Sequence, residues 1–439
     1  MIRIGKLCLQ NKISFRIENI IQLQQIQQIE NTISPFKLNL PKYKMSSQNS
    51  KFDINKLIKF RRNMHLNPET GFKEFQTQQN IKEYLLSIGI QENQIKVCAQ
   101  TGLVVDIRGQ APSEGEDRLI AFRADIDALS MKEDNPHLEY QSTNGAAHMC
   151  GHDGHTTCLL GFASLYMDIL HKIPQNKVIR LLFQPSEEGP ESGAFVMIQD
   201  GCLDQVQEVY GFHNWPTHKV GYLMVKPGPV MSEVTVINLT IIGKGGHGSE
   251  PEKANDPVSA AVDFHIKFRK IQEKYKGRQY VCTLPTFNAG ERFNVFPDKA
   301  LLTGTLRSFE DGLSEEFKKD VIQALEELKQ ERGINYQLNW RIYFPATVNS
   351  ETEANHVERV AKQYFGEANV GIGIMPARAS EDFSFYLKER PGAFFFLGSG
   401  RIENDTMLHD CHFDFNEDLI NPGSEFWVKL ALDRLKVNL

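Results

Sequence analysis

The chain has 439 residues, of which 41% are hydrophobic and 24% are charged, a composition typical of a globular protein with a large core. A formal net charge of −6 argues against nucleic-acid binding as the main task, because that task needs a basic surface. No apolar run approaches the roughly 18 residues needed to cross a bilayer. Seven scattered cysteines are typical of reduced thiols inside a cell. These features predict an intracellular protein that binds neither nucleic acid nor membrane.

The first 44 residues are poor in acidic side chains, with only Glu18 and Glu30, and they carry several lysines and arginines. A basic, acid-poor start is compatible with an organelle transit peptide. The alternative is a disordered extension, with Met45 as the functional start. Both interpretations separate residues 1–45 from the folded part of the chain. They leave the cytoplasm and the mitochondrion as the two predicted locations.

Beyond this extension, helix-like and strand-like segments alternate. Amphipathic spacing predicts helices around Ile54–Met64 and Thr77–Ile88. Short apolar runs that end in polar residues are predicted as strands: Arg118–Asp125, Val178–Pro185, Val209–His213 and Ala393–Gly398. Apolar strands interleaved with helices indicate an α/β fold, with a mostly parallel sheet and helices on both faces.

Polar side chains follow or end these predicted strands. Asp125, Glu187, Glu188 and His213 all lie at such ends. In open α/β sheets, ligands bind beyond the carboxyl ends of the strands. The sequence therefore predicts that these four side chains belong to one pocket.

Residues 232–343 show a different order of elements. Two helices are predicted. The first is capped by Asp256 and has Pro257 as its first residue, and the second is capped by Ser314. Four strand-like runs accompany them: Val234–Ile242, Tyr280–Phe287, Lys299–Arg307 and Asn335–Tyr343. The resulting β-α-β-β-α-β order is the split βαβ, ferredoxin-like arrangement. We predict an inserted α+β lid domain at 232–343, between two parts of a catalytic domain at 46–231 and 344–439.

The segment His148–Thr157 is the strongest indication of chemistry. It places Cys150 and His152 two residues apart, so that a loop can aim both side chains at one metal ion. Thiolate and imidazole suit zinc, and imidazole also binds other divalent metals. A metal ion needs about four ligands, so the others must come from elsewhere in the chain.

Glutamates and further histidines supply candidates for the remaining ligands. Neighbouring side chains on extended backbone point to opposite sides, so one of Glu187 and Glu188 can bind metal while the other faces a metal-bound water. His213 ends a strand, and a late histidine comes from either His409 or His412, which the residues alone do not separate. Together with the first two ligands, this set is large enough for two metal ions when a ligand or a water bridges them.

One further histidine lies in the predicted lid. The run Lys244–Ser249 places His247 in a glycine-flanked turn, and glycine lets the backbone approach a ligand closely. The alternative is a hairpin tip in which this histidine has no role.

Taken together, the motifs resemble the amidohydrolase branch of the metallo-aminoacylase and carboxypeptidase superfamily. That branch includes hippurate hydrolases, N-acyl-amino-acid amidohydrolases and auxin-conjugate hydrolases, with a dimetal aminopeptidase-like fold. The resemblance extends from Arg61 to the C-terminus. Its motifs are, in chain order, Arg61–Phe72, Arg123–Leu129, Cys150 with His152, Gln184–Gly189, His213–Pro216, Gly245–His247, Asn294–Asp298, Gly304–Arg307, Ser380–Phe383 and Leu408–His409.

The resemblance implies a set of metal ligands and a base. The implied ligands of two divalent ions, which we expect to be zinc, manganese or cobalt, are Cys150, His152, Glu188, His213 and His409. His409 is preferred over His412 because the family pattern is Leu-His, three variable residues and then an aromatic residue. Glu187 is implied as the general base and acid, and Asp125 as a residue that orients a ligand.

The resemblance also implies a substrate site and an activity. His247, Asn294 and Arg307 would bind the substrate carboxylate and oxyanion, and the lid would allow a homodimer. The expected reaction is hydrolysis of N-acyl-L-amino acids. The alternatives are a dipeptidase or carboxypeptidase with the same site, and a metal-binding homologue without catalysis. Two positions, Ser130 and Glu252, depart from the family pattern, and we expect Glu252 to bear on substrate choice.

Overall fold

The computed structural model describes residues 50–401 and 406–439. The predicted N-terminal extension, residues 1–45, lies outside the described residues, and so does the question of a transit peptide. The described residues belong to a single unit, Gln48–Leu439. Within the described part of the chain, every helix is too short or too polar to cross a membrane.

The secondary structure alternates between strands and helices along much of the chain. The strands are β1 Ile95–Cys98, β2 Gly102–Arg108, β3 Arg118–Asp125, β4 Lys177–Gln184, β5 Glu208–Lys219, β6 Leu223–Met224, β7 Gly228–Met231, β8 Glu233–Ile242, β9 Gly246–His247, β10 Tyr280–Ala289, β11 Val295–Phe296, β12 Lys299–Ser308, β13 Asn335–Phe344, β14 Thr347–Asn349, β15 Val370–Gly371 and β16 Gly392–Gly400. The α-helices are α1 Ile54–Leu66, α2 Phe75–Ser87, α3 His152–Ile169, α4 Gly193–Gln199, α5 Pro257–Lys274, α6 Leu313–Arg332, α7 Glu351–Phe365, α8 Phe383–Glu389 and α9 Ile420–Leu435.

The larger sheet has the strand order β1-β2-β4-β3-β5-β16-β6-β15. Its central strands β4, β3, β5 and β16 run parallel, whereas β1 and β2 pair antiparallel at one side. The predicted α/β class with a mostly parallel sheet is therefore confirmed. Because the central strands are parallel, their carboxyl ends meet at one edge, which we call the ligand edge.

Alternating side chains of the central strands fill two layers of core, one on each face of the sheet. On one face, the ring of Phe122 lies 5.0 Å from that of Phe162 in α3 and 5.3 Å from that of Trp427 in α9. On the other face, Ala121 belongs to a buried cluster that includes Met197 of α4 and Tyr386 of α8. Successive residues of β3 thus pack against different helices, as the strand period of two requires.

A second sheet is formed by the region inserted between β7 and β14. Its order is β10-β12-β8-β13, and all of its pairs are antiparallel. The helices α5 and α6 contribute Phe264, Phe268, Phe317 and Leu325 to its own buried core. The element order β8-α5-β10-β12-α6-β13 is the predicted β-α-β-β-α-β arrangement.

The caps of the two inserted helices differ in how well the sequence predicted them. Asp256 caps α5 as expected, because its side chain accepts the backbone N–H groups of Val258 and Ser259. The cap prediction for α6 was wrong. The cap is Gly312, with φ 76, so the helix begins two residues earlier than predicted, at Leu313, and Ser314 lies inside it. The Ser314 hydroxyl bonds Thr235 and Trp340 instead, so it joins the helix to the sheet.

Candidate active site

Cys150 and His152 lie at the start of α3, beside the ligand edge. Gly151 between them has φ 97, a conformation that glycine adopts without steric cost. A Cβ atom on Gly151 would lie 2.4 Å from the Asn214 side-chain oxygen, so glycine also lets this loop pack against β5. The glycine thus turns the chain while it keeps both ligand side chains next to the sheet.

A first group of ligand atoms consists of Cys150, His152 and His213, all of them buried. Their ligand atoms lie within 4.8 Å of one another, and the Cys150 Sγ lies 3.3 Å from the His213 Nε2. A thiolate and two imidazoles form a donor set that suits a borderline-soft divalent ion.

Both histidines of this group are held in the tautomer that a metal requires. The His152 Nδ1 lies 3.0 Å from the Asp127 carbonyl oxygen and the His213 Nδ1 lies 2.8 Å from the Asn214 carbonyl oxygen, so each Nδ1–H donates to a backbone acceptor. In the neutral ring, this leaves each Nε2 with a free lone pair. The His152 Nε2 is buried and, within the described ranges, accepts or donates no hydrogen bond. A buried nitrogen left this way fits a metal ligand, because an unpaired polar atom is otherwise costly.

A second group shares the thiol of the first and consists of Cys150, Glu188 and His409. The His409 Nε2 lies 3.3 Å from the Cys150 Sγ and 2.9 Å from the Glu188 Oε1. His409 has φ 67, and its backbone N–H donates to the Met149 carbonyl oxygen at 2.7 Å. His412 instead bonds its neighbour Asp410. The structure therefore brings His409, and not His412, to the other predicted ligands.

Asp125 ends β3 and lies next to His152 of the first group. Its Oδ1 lies 2.7 Å from the Nδ1 of His155, and its Oδ2 lies 3.6 Å from the Nε2 of His152. Although burial opposes ionisation, His152, His155 and Arg123 hold the pKa of Asp125 well below its ordinary value. For His152, burial alone lowers the pKa, but Asp125 and Asp127 raise the pKa to about 10. The carboxylates therefore give this region a strong preference for positive charge.

Glu187 is buried next to Glu188, on the turn that follows β4. Its carboxylate oxygen lies within 4.8 Å of the ligand atoms of His152 and Glu188. Burial, followed by the charges of Glu381 and Glu188, raises the pKa of Glu187 well above its ordinary value. A carboxylate with a raised pKa binds a proton more strongly, which is the property required of a general base that later acts as an acid.

Several residues of this region were not singled out from the sequence. Arg123 is fully buried and donates hydrogen bonds to Asp125 at 2.7 Å, to Glu381 at 2.9 Å and to Asp382 at 3.0 Å. His155 joins Asp125 to the side-chain oxygen of Asn214, at 2.6 Å. Their positions within the quoted motifs were a usable signal, since each lies within three residues of a predicted site residue or in the Ser380–Phe383 motif.

The predicted residues of the inserted region do not lie among the metal-ligand candidates. His247 ends β9 and Asn294 immediately precedes β11; both are exposed, and the Gly248 N–H donates to the Asn294 carbonyl oxygen at 2.8 Å. Arg307 is half-buried and donates to the Arg378 carbonyl oxygen and to the Ser380 hydroxyl, both at 3.0 Å. The departures Ser130 and Glu252 are both exposed.

His247 has a defined tautomer although it is exposed. The backbone N–H of Ser249 donates to its Nδ1 at 3.2 Å, and the Ser249 hydroxyl lies 2.7 Å from the same atom. An Nδ1 that accepts a hydrogen bond carries no proton, so in the neutral ring the proton is on Nε2. The Nε2–H therefore faces away from Ser249 and is available as a donor.

Two groups of imidazole and carboxylate donors that share the Cys150 sulfur, with the buried Glu187 beside them, are the arrangement expected of a metal-dependent hydrolase. Residues 121–433 match the family described as Peptidase family M20/M25/M40. The chain is 33% identical over 383 residues to a hippurate hydrolase of Campylobacter jejuni. This alignment covers 86% of this chain and 96% of the relative. It is 30% identical to thermostable carboxypeptidase 2 of Saccharolobus solfataricus, with 86% of this chain and 94% of the relative covered.

A solved structure gives the same result at the level of the fold. A Bacillus subtilis protein described as a dinuclear metal binding peptidase of family M20 superposes with a TM-score of 0.74 at 28% identity, over 88% of this chain and 99% of that one. The chain belongs to the M20/M25/M40 peptidase family. The predicted family and the predicted class of metal-dependent amidohydrolase are thereby confirmed.

Proposed function

We propose that the protein hydrolyses the amide bond of N-acyl-L-amino acids, such as hippurate-like or auxin-conjugate-like compounds, to a carboxylic acid and an amino acid. The observation that carries this proposal is the pair of ligand groups joined by the Cys150 sulfur, with the buried Glu187 beside them. The relationship to a hippurate hydrolase supports this substrate class.

The donor set favours two divalent ions held by Cys150, His152, Glu188, His213 and His409. One thiolate together with three imidazoles suits zinc or cobalt better than a hard ion such as magnesium, and the Glu188 carboxylate also suits manganese. Bound ions of this kind activate water and polarise the scissile carbonyl group.

Glu187 provides the proton transfer in this proposal. Its raised pKa suits a carboxylate that takes a proton from the attacking water and passes it to the departing amine nitrogen. Because the side chain is buried, the proton stays near the reacting atoms instead of exchanging with bulk water. The amine leaves as a neutral group, which removes the main obstacle to breaking the amide C–N bond.

His247 is proposed to donate its Nε2–H to the carbonyl oxygen as that oxygen gains negative charge. The hydrogen bonds from Ser249 to Nδ1 support this, since they leave the proton on the outward nitrogen. Because His247 is exposed, it must come to the substrate by movement of the inserted region or from a second copy.

Arg307 is proposed to bind the substrate carboxylate, and Asn294 is proposed as a separate polar contact from the inserted region. Within the described residues, the Arg307 guanidinium makes no ion pair with a carboxylate, and its hydrogen bonds are to neutral oxygens. Burial lowers the pKa of Arg307, which indicates a charge whose hydration is incomplete. A free carboxylate on the substrate would satisfy that charge.

We also propose a homodimer formed through the inserted region, which we interpret as a lid domain. The strand β10 is an edge of its sheet, and Val281 and Phe287 expose 37% and 44% of their surface there. An exposed edge strand with apolar side chains suits pairing with a second copy. Analytical ultracentrifugation of the wild type and of Phe287→Lys tests this, with a shift from dimer to monomer as the expected result.

The function is tested on purified protein before and after treatment with a chelator. We expect metal by elemental analysis, cleavage of hippurate-like substrates, loss of cleavage after chelation and its return with zinc, manganese or cobalt. A parallel series of dipeptides and carboxypeptidase substrates distinguishes the main alternative, which the relationship to a carboxypeptidase favours. Bound metal without cleavage of either series would contradict both and leave a non-catalytic homologue.

A further inference from the structure

The turn between β4 and α4 carries both Glu187 and Glu188, and we call residues 185–189 the glutamate turn. Ser186, just before the pair, has φ 50, which lies in the left-handed region that residues with a Cβ atom rarely adopt. Such a conformation persists only where the surrounding structure imposes it. The groups that impose it therefore determine where the two glutamates point.

Glu74 is one of these groups, although it lies at the start of α2, far from Glu187 in sequence. Its carboxyl group is 0% exposed. One oxygen accepts the backbone N–H of Ser186 at 3.0 Å, and the other accepts the Thr101 hydroxyl at 2.6 Å. Within the described residues it forms no ion pair, so two neutral donors hold a buried carboxyl group against the glutamate turn.

The space around Ser186 is as restricted as its backbone. A Cβ atom at Gly71 would lie 2.5 Å from the Ser186 hydroxyl oxygen, and one at Gly189 would lie 2.1 Å from it. The hydroxyl itself donates to the Glu191 carbonyl oxygen at 2.7 Å. The Ser186 side chain is thereby enclosed, and the segment 71–74 reaches it from both the side-chain and the backbone direction.

A second buried carboxylate, that of Asp127, holds the backbone N–H of Glu188 in the same turn. The Glu188 N–H donates to the Asp127 Oδ2 at 3.0 Å. Glu187 lies between the two fixed N–H groups, so the direction of its side chain depends on both. Ser186 is also held by its carbonyl oxygen, which accepts the Gly193 N–H at 2.9 Å.

We propose that Glu74 is a positioning residue for Glu187: by accepting the Ser186 N–H, it fixes the backbone that aims the general base. This inference rests on the proposed function, in which Glu187 transfers the proton. Glu74 touches neither substrate nor metal ligand in this role. Its contribution is to keep the glutamate turn in a conformation that the chain would otherwise leave.

The test begins with Glu74→Met, which has a similar volume and no acceptor. The Ser186 N–H then lacks its partner, and the turn relaxes away from its positive φ. A displacement of a catalytic group by about 1 Å costs on the order of 100-fold in rate, so we expect kcat to fall about 10- to 100-fold. KM and metal content should stay near the wild-type values, because Asp127 still holds the Glu188 N–H and no proposed substrate contact is removed.

Glu74→Gln should have a kcat near that of the wild type, unlike Glu74→Met. The amide oxygen can accept the Ser186 N–H, while the amide nitrogen donates to the Thr101 hydroxyl. Burial and the nearby Asp127 raise the pKa of Glu74 to about 7, so a neutral side chain is a close mimic there. Thr101→Val is the matched control, since it removes the other hydrogen bond of Glu74 and leaves that to Ser186.

Amide hydrogen exchange of the peptide that covers 184–191 provides a readout independent of activity. We expect faster exchange in Glu74→Met and wild-type exchange in Glu74→Gln and Thr101→Val. An active wild type whose kcat is unchanged by Glu74→Met would overturn the role of Glu74 alone. A wild type without hydrolase activity would overturn the proposed function. In that case the exchange measurement still tests Glu74: unchanged exchange in Glu74→Met would refute its role in holding the turn. A fall in kcat that follows only the melting temperature across all three variants would likewise refute positioning.

Discussion

The ligand edge of the large sheet and the inserted region contribute very differently to the site. At the ligand edge, Cys150, His152 and His213 are buried and their nitrogen and sulfur atoms already lie close together. In the inserted region, His247 and Asn294 are exposed, and the His247 Nδ1 is hydrogen-bonded by the neighbouring Ser249. The buried ligand side chains lose their contact with water during folding. The exposed side chains of the inserted region lose it only when substrate binds.

This difference separates two tasks. The ligand edge is preorganised, so its residues should determine whether the reaction occurs and how stable the fold is. The inserted region offers donors on an accessible surface, so its residues should determine how well the substrate and its developing charge are bound. The predictions that follow contrast the two regions.

The largest effect is expected at the ligand edge, from Glu187→Gln. The amide keeps the shape of the side chain but no longer takes a proton, so kcat should fall by about 1,000-fold or more. Metal content should remain that of the wild type, because Glu187 is not one of the proposed ligands. Assays on a hippurate-like substrate with elemental analysis check both parts. Retained turnover would end the assignment of Glu187 as the base.

A large loss of stability is expected from Arg61→Met. The buried Arg61 of α1 pairs with Asp153, the residue after His152 at the ligand edge, at 2.9 Å and also with Asp414; its removal takes the main positive charge from two buried carboxylates. We expect the free energy of unfolding in urea to fall by about 3–5 kcal/mol. The matched control is Arg332→Met in the inserted region, where the pair with Asp263 is exposed and is worth at most about 1 kcal/mol. Equal losses in the two variants would contradict the contrast between the regions.

His247→Ala should lower kcat by about 100- to 1,000-fold, the usual cost of losing an oxyanion donor. Stability and metal content should not change, because the side chain is exposed. Ser249→Ala is a milder control: it keeps the backbone N–H that bonds Nδ1, and with it the tautomer of His247. A rise in KM alone, with normal kcat, would show that His247 binds the ground state instead.

The smallest of these effects is expected from Arg307→Met, as a rise in KM of about 10- to 100-fold, because a charged hydrogen bond is worth about 1.5–3 kcal/mol. Substrates in which a carboxamide replaces the free carboxylate should show little difference between the variant and the wild type. Ser380→Ala, which removes one of the neutral partners of Arg307, controls for a structural effect. If KM rises equally for the carboxylate and the carboxamide substrates, Arg307 holds the two regions together and does not recognise the carboxylate.

The sequence predicted much of the ligand edge, because strand ends and close spacing limit where a side chain can be. The bounds of β3 were predicted as observed, and the placement of Glu188 beside Cys150 followed from the carboxyl ends of parallel strands. The choice of His409 over His412 came from the family resemblance, because in spacing alone the two histidines are equivalent.

Other features depend on tertiary packing and could not be predicted from local pattern. The predicted β5 ended at His213, whereas the strand continues to Lys219 because β16 extends beside it. Serine often caps helices, but Ser314 lies inside α6, and its hydrogen-bond partners Thr235 and Trp340 lie on the strands β8 and β13. Asp127 was overlooked because its role depends on the Glu188 backbone, which is distant in sequence.

The order in which the ligands occur along the chain has a consequence for synthesis. Four of the proposed ligands precede the inserted region, but His409 follows it, and so does α9, which packs its Trp427 against β3 on the side covered by α3. A nascent chain therefore emerges with Cys150 well before the last partner of that thiol has been translated. Any product that stops before residue 409, through a premature stop codon or proteolysis, would have a thiol without its complete ligand set and no hydrolase activity.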